Sequence, residues 1–290
     1  MRIADISAET DEFSGTLVVV STERSTALVR DHSGTLAVSN PELTPGAVLD
    51  VSLEREGNQW RVVTATPSTA ELRDLYPSSA LSKTELRQQI TEALNLSIAD
   101  PDYRSLCDAA IASDAFEPFL DAPAAASHHH AYVGGLAEHT LSMLSIATSL
   151  VSHYDRAYPN LIDASLLAAG VFFHDFMKVR ELAFDGRIKY TDVGNLIGHI
   201  PMAATWVMEL EANASQESRT LLAHLILSHH GKKEYGAAVE PKTTEAILLH
   251  QIDMIDSRMN MCSNSIVGTD SGWTSYHRAL GTKLFVHNND

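Results

Sequence analysis

Over the first 68 residues apolar and polar positions alternate in short Val- and Thr-rich runs: GTLVVVST, STALVRD, GTLAVS, AVLDVSLE and QWRVVTAT. The turn signals HSG, NPELTPG and REGN separate them. Period-two alternation bounded by Gly, Pro, Asn and Ser predicts β-strands. Five short strands in this space fit an OB-like barrel better than a sandwich, which needs more strands. After TPSTAEL the pattern becomes helical. KTELRQQITEALNLSI opens with Ser82 as an N-cap and Glu85 three residues later, a capping-box arrangement. YRSLCDAAIASDAF continues the helical period, and DAPAAAS predicts a loop or hinge. From His128 the chain is almost wholly helical: GLAEHTLSMLSIATSLVSHY, DASLLAAGVFFHDFMKV, GHIPMAATWVMELEANA, SRTLLAHLILSHHG and TTEAILLHQIDMIDSRMNM all space apolar residues by three and four. GTDSGWTSYHRALGTKLFVHNND has no clear period and predicts a peripheral tail. The expected architecture is α+β: a small N-terminal OB-like β-barrel over residues 1–68, a helical connector over 69–127, an all-α domain over 128–262 and a tail over 263–290.

Composition narrows the function classes. A chain of 290 residues, 44% hydrophobic, is long enough for a sizeable core. No stretch reaches the ~18 consecutive apolar residues of a membrane span, and MRIADISAETDEF has no apolar signal segment behind its single Arg. The expectation is a cytoplasmic protein. Cys107 and Cys262 lie far apart with no CxxC, so they read as small core residues, not as a disulfide framework or thiolate zinc site. Twenty-one bases against thirty-seven acids give 21 − 37 = −16, which opposes broad attraction to nucleic acid and requires a local patch for a polyanionic substrate. The barrel region carries 5 bases, 10 acids and only Phe13 and Trp60 as Phe, Tyr or Trp. Single-strand binding wants stacking aromatics and a basic groove.

The candidate chemistry sits on faces that should be dry. His139 follows Leu136 by three and precedes Met143 by four, sharing an inward face with them. In FFHDFMK, His174 and Asp175 occupy consecutive positions about 100° apart on a helix, so both can converge on one point. His229, with His230 beside it, lies three and four after Ile226 and Leu225, and Gly231 ends that run. Asp253 lies four after Leu249 and one after Ile252. One inward His alone reads as a core imidazole bonded to a backbone carbonyl. Four helices each delivering imidazole or carboxylate to a common interior suit divalent Mn, Fe, Co, Ni or Zn. A bound cation also makes the burial of a carboxylate favourable. GxSxG, GxxxxGK[ST], HExxH and GxGxxG after a strand are all absent.

The order His139, His174-Asp175 with Lys178, then Asp253 resembles the HD superfamily of metal-dependent phosphohydrolases, and the intervening His199, His229 and His230 resemble its two-metal subgroups. HHAYVGGLAEHTLSML, HDFMKVRELAFDGRIKYTDVGNLIGHI and ILSHHGKKEYGAAVEPKTTEAILLHQIDMIDSRM, behind a β-rich N-terminus, resemble the YhaM-type 3′-5′ exoribonucleases, which place an OB-like domain ahead of an HD domain. The resemblance covers roughly residues 70 to 262 closely and the N-terminal unit loosely. It implies that residues 128–262 form the HD domain, that His139, His174, Asp175 and Asp253 hold one divalent ion, and that Asp175 bridges to a second held by His199, His229 and His230. Manganese stands ahead of cobalt, iron, nickel and zinc. Asp175 and Lys178 are the catalytic candidates, Lys178 touching the scissile phosphate or orienting Asp175.

The resemblance further implies a phosphodiesterase that shortens single-stranded RNA or DNA from the 3′ end to nucleoside 5′-monophosphates. The alternatives are the same site acting on a small nucleotide or cyclic nucleotide, and a non-catalytic protein with a structural metal site. Other HD enzymes assemble as oligomers, and by that analogy alone a homo-oligomer is a candidate state. His129 and His130 match a family pair and are candidates for the substrate cleft, as are Tyr190, Thr191, Lys232 and Lys233; Gly194 and Gly198 would allow close backbone approach there. Arg180, Arg187, Lys189, Lys242 and Arg258 could extend a phosphate-binding rim, or form a solvated charged face among the interleaved acids. Asp256, one turn after Asp253, is an alternative ligand in its place, and His153, His224 and His250 are read as structural.

Overall fold

The computed structural model describes residues 1–39, 42–126, 129–184 and 187–287. The expected boundary at His128, Ser127 of the DAPAAAS loop, Asn40 and Pro41 of one turn and the last three residues of the tail lie outside them. The described chain divides into two compact units, Met1–Ala80 with Ala183–Lys189, and Leu81–Leu182 with Tyr190–Asp290.

The first unit is built on β1 (Glu12–Glu23), β2 (Thr26–Asp31), β3 (Gly34–Ser39), β4 (Val48–Glu56) and β5 (Gln59–Pro67), closed in the order β1-β2-β3-β5-β4. One long strand makes closure possible. The first part of β1 pairs with β4 as far as Val18, and from Val18 onward β1 pairs with β2, with a register shift between Val19 and Ser21. An irregularity of that kind bends and twists a strand, which lets one strand serve two neighbours around a barrel. Phe13, Leu17, Val29, Val38, Leu53 and Trp60 fill the interior. Asp31 is buried at the end of β2, where Oδ2 accepts from Ile3 N at 2.7 Å and Oδ1 from Ser33 and Gly34, so its charge is satisfied locally. The short α1 (Leu72–Leu75) follows the barrel.

The second unit is helical: α2 (Lys83–Ser97), α3 (Pro101–Ala112), α4 (Phe116–Asp121), α5 (Gly135–Ala157), α6 (Ala164–Phe173) and α7 (Lys178–Glu181) come first. After a two-stranded sheet come α8 (Asp192–Leu196), α9 (His199–Glu209), α10 (Gln216–Ser228) and α11 (Thr244–Ile266). Ser82 caps α2 as its sequence predicts, accepting from Glu85 N at 3.2 Å while Glu85 Oε2 accepts from Ser82 N at 2.7 Å. Helix α6 is the centre of the unit: apart from Ala164 every residue is buried, and past Ser165, whose Oγ accepts from Ala99 N and Asp100 N, the helix is apolar on all sides and not on one stripe. Phe172 packs edge-to-face against Phe116, Phe119, Phe173 and Phe176. That packing fixes where the following residues emerge.

Two details differ from the sequence expectation. The HD doublet does not lie within α6; that helix ends at Phe173, and His174 is its C-cap in αR conformation, followed by a turn that includes Asp175. The helical run is also broken by β6 (Leu182–Phe184) and β7 (Ile188–Tyr190), which form a two-stranded sheet. Residues 183–189 of it belong to the first unit, where Phe184 meets the Tyr76 ring at 4.5 Å. Each strand is only 3 residues long, too short to show alternation in the sequence. In the C-terminal segment β8 (Gly272–Trp273) pairs with β9 (Phe285–Val286).

Candidate metal centre

Six polar elements of the helical unit converge. His139 comes from α5, His174 and Asp175 from the turn after α6, and Lys178 and Glu181 from α7. His199 comes from the first residue of α9, His229 and His230 from the end of α10, and Asp253 and Asp256 from α11. The face that carries His139 also buries Leu136 and Met143, as the three-and-four spacing requires. Gly135 starts that helix against the His129-His130 segment, where a Cβ would lie 2.0 Å from His130 O, so only Gly permits the approach.

Two sets of three donors lie close enough within themselves to hold a metal ion: His139, His174 and Asp253, and His199, His229 and His230. Asp175 stands between them. Its Oδ2 is 3.3 Å from His174 Nε2 and 3.9 Å from His139 Nε2, whereas its Oδ1 is 3.2 Å from His199 Nε2 and 3.7 Å from His229 Nε2. One carboxylate thus presents one oxygen to each set. A third set, His130, His139 and Asp256, is internally hydrogen-bonded: Asp256 Oδ2 lies 2.6 Å from His139 Nδ1 and 2.9 Å from His130 Nε2. Asp256 therefore backs His139, while Asp253 Oδ1 lies 3.4 Å from the other ring nitrogen, Nε2. Asp253 thus groups with His139 and His174, and Asp256 with His139 and His130.

The donors fit a divalent cation by an independent observation. His139 Nε2, His174 Nε2, Asp175 Oδ1, His199 Nε2, His229 Nε2 and His230 Nδ1 are buried and make no hydrogen bond. Buried polar atoms almost always have partners, and leaving them unpaired costs about 1–3 kcal/mol each. Six orphans aimed at two points are what cation ligands look like. In four of these five imidazoles the opposite ring nitrogen is committed: His174 Nδ1 to Val171 O at 2.8 Å, His229 Nδ1 to Ile226 O at 2.7 Å, His199 Nδ1 to Glu181 Oε2 at 2.8 Å and His139 Nδ1 to Asp256. This fixes the tautomers that leave Nε2 available.

The electrostatics agree. Burial pushes the Asp175 carboxyl up, but the Lys178 ammonium and His174 outweigh it and hold the group well below the usual carboxylate range. Lys178 Nζ lies 2.6 Å from Asp175 Oδ2; burial favours the neutral amine, yet the Asp175 charge raises its pKa. Burial and the neighbouring His174 and His230 hold His229 well below its ordinary value, and burial likewise lowers His230, which favours the neutral ligand form. Burial alone would lower His139 as well, but Asp253 and Asp256 raise it to about 9. The negative field that favours a proton there favours any cation.

The substrate-side candidates divide. His129 has its ring 5.6 Å from that of His139, and burial followed by the Lys178 charge pushes it down to about 4. His130 is buried behind the centre, its Nδ1 2.8 Å from Tyr132 Oη. Thr191 caps α8: its Oγ1 accepts from Gly194 N at 2.9 Å and donates to Arg180 O at 2.7 Å. Tyr190 is exposed, and Lys232 is exposed and paired with Glu234 at 3.3 Å. Lys233 is exposed on a short 3₁₀ turn. His250 supports the backbone through its Nδ1, 2.8 Å from His229 O, and His224 Nε2 accepts from Lys242 N. Sequence reasoning passed over Glu181 and Ser142. The available signal was position: Glu181 lies one turn after Lys178 on an inward face, and Ser142 lies three after His139.

A His-Asp doublet after a buried helix, meeting imidazoles and a carboxylate from four other helices, defines the HD class of metal-dependent phosphohydrolases, and the model of the HD domain family matches residues 136–258. Across the full chain the similarity is narrower. Proteins named 3′-5′ exoribonuclease YhaM are 33% identical in Oceanobacillus iheyensis, covering 96% of this chain and 95% of the relative, and 33% identical in Bacillus licheniformis, covering 90% and 87%. The Bacillus subtilis protein of that name is 34% identical over 84% of this chain and 78% of its own length. The chain belongs to the YhaM family. No solved structure matches it. Among the described residues no helix is long and apolar enough to cross a membrane.

Proposed function

We propose that this chain is a metal-dependent 3′-5′ exoribonuclease that degrades single-stranded RNA to nucleoside 5′-monophosphates, with two divalent ions, manganese first among the candidates. The observation that carries the two-ion reading is the division of Asp175, one oxygen toward each set of unpartnered donors. In this reading His139, His174, Asp175 and Asp253 hold one ion, and Asp175, His199, His229 and His230 hold the other. A divalent pair supplies Lewis-acid chemistry to displacement at phosphorus. Lys178 keeps the Asp175 carboxylate ionised and in register with both sets through its 2.6 Å contact. His129, largely uncharged at neutral pH, is a hydrogen-bonding group beside His139 for the terminal nucleotide. Lys232 and Lys233, exposed after the second donor set, provide phosphate contacts. RNA as substrate and the free thiols of Cys107 and Cys262 support a cytoplasmic place of action.

The test is a time course on 5′-labelled single-stranded RNA, with matched DNA and free nucleotides, in Mn²⁺ or in EDTA, for wild-type protein and Asp175→Ala. A ladder shortening from the 3′ end that requires metal and Asp175 is the expected result. The Asp175 variant loses several kcal/mol of charge stabilisation, about 10³-fold in rate. An intact strand beside hydrolysed nucleotides overturns the exonuclease reading in favour of a small-molecule substrate.

A further inference from the structure

Each donor set contains one imidazole backed by a backbone carbonyl and one backed by a carboxylate. His174 and His229, the C-caps of α6 and α10, rest on carbonyls three residues earlier in those helices, Val171 O and Ile226 O. His139, on α5, rests instead on Asp256 of α11, and His199, on α9, on Glu181 of α7. The carbonyl-backed rings are set by local helix geometry. The carboxylate-backed rings are set by side chains on separate elements, and each of these is itself anchored. Asp256 Oδ1 accepts from Ser142 Oγ, and its Oδ2 also lies 2.9 Å from His130 Nε2. Glu181 holds His199 at two points, since its Oε1 accepts from His199 N at 3.1 Å. Both carboxylates are buried. An anionic acceptor behind a ligand imidazole fixes the ring and raises the basicity of its free nitrogen more than a carbonyl does.

We propose that Asp256 and Glu181 are paired positioning residues, one behind each donor set, and that each sets the divalent-metal affinity of its own set with little effect on the other. The inference rests on the two-ion reading above. Asp256 tunes the set of His139, His174 and Asp253; Glu181 tunes that of His199, His229 and His230. Neither touches substrate. Their removal is therefore read in metal binding and not only in rate.

The experiment titrates metal-free full-length protein with Mn²⁺ alone, following heat of binding and the electron paramagnetic resonance spectrum, with circular dichroism melts to establish that each variant is folded. Wild-type protein is expected to take up two ions and give an exchange-coupled signal. Asp256→Asn and Glu181→Gln are each expected to weaken one of the two ions about 10–100-fold while the other keeps its affinity, so that one equivalent gives an uncoupled six-line signal. Two variants that bind both ions as wild type does, or that weaken both ions equally while folded, overturn the proposal. If either variant fails to fold, Ser142→Ala and Glu181→Asp shift the carboxylates without removing them and carry the same expectation in smaller measure; unchanged affinities in both overturn it. Wild-type protein that takes up fewer than two ions overturns the two-ion reading itself, a different result from two ions bound and indifferent variants.

Discussion

Lys178 Nζ lies 2.6 Å from Asp175 Oδ2, the oxygen that also faces His174 and His139, and both side chains are buried. An ammonium and a shared ligand carboxylate thus form one unit. Removing one partner of a buried pair costs about 3–5 kcal/mol because the other charge is left uncompensated. Lys178→Met is expected to lower the melting temperature strongly in EDTA and less in excess Mn²⁺, where cations replace the ammonium beside Asp175. Equal losses in both conditions would contradict cation binding at that carboxylate.

Metal removal from the wild-type protein has its own expected signature. A ligand that binds only the folded state stabilises it by RT ln(1 + [L]/Kd), about 2.7 kcal/mol at one hundred times Kd. Scanning calorimetry in EDTA should show a lower transition than in Mn²⁺, and the shift should vanish in a protein carrying His174→Ala with His229→Ala, which lacks one imidazole from each set.

Gly194 is a packing requirement beside Glu181. A Cβ there would lie 2.3 Å from Glu181 O and 2.9 Å from its carbonyl carbon, so Ala forces the backbone of the residue that holds His199 to move. Overpacking of this kind costs about 1–3 kcal/mol. Gly194→Ala is expected to reduce urea stability by that amount and to weaken Mn²⁺ binding as well. Stability loss with unaltered binding would uncouple the two.

Phe172 tests the frame and not the chemistry. It is fully buried among Phe116, Phe119, Phe173 and Phe176. Phe172→Ala is expected to cost about 3–5 kcal/mol, read as a lower urea midpoint with unchanged slope. A loss below about 1 kcal/mol would mean that the cluster collapses around the gap.

What the sequence determined by itself is local and periodic. Alternating Val and Thr runs marked the five barrel strands, because a half-buried strand repeats every two residues. Ser82 with Glu85 marked the start of α2, because a cap is a contact across three residues. His139, His174, Asp175, His229 and Asp253 stood out because polar groups on dry faces break a pattern, and their common interior was legible from that alone. The tertiary structure decided what lies between distant positions. His174 and Asp175 leave the helix at Phe173 because α6, buried on all sides, ends there. Asp256 turns to His139 Nδ1 while Asp253, three residues earlier, faces Nε2; two acids one turn apart are equivalent in spacing, and only the packing of α5 on α11 separates them. Glu181 reaches His199 across 18 residues and two short strands that periodicity could not show. Spacing fixes which face a residue occupies, but its partner depends on how faces from separate elements meet, and that is set by the whole core at once.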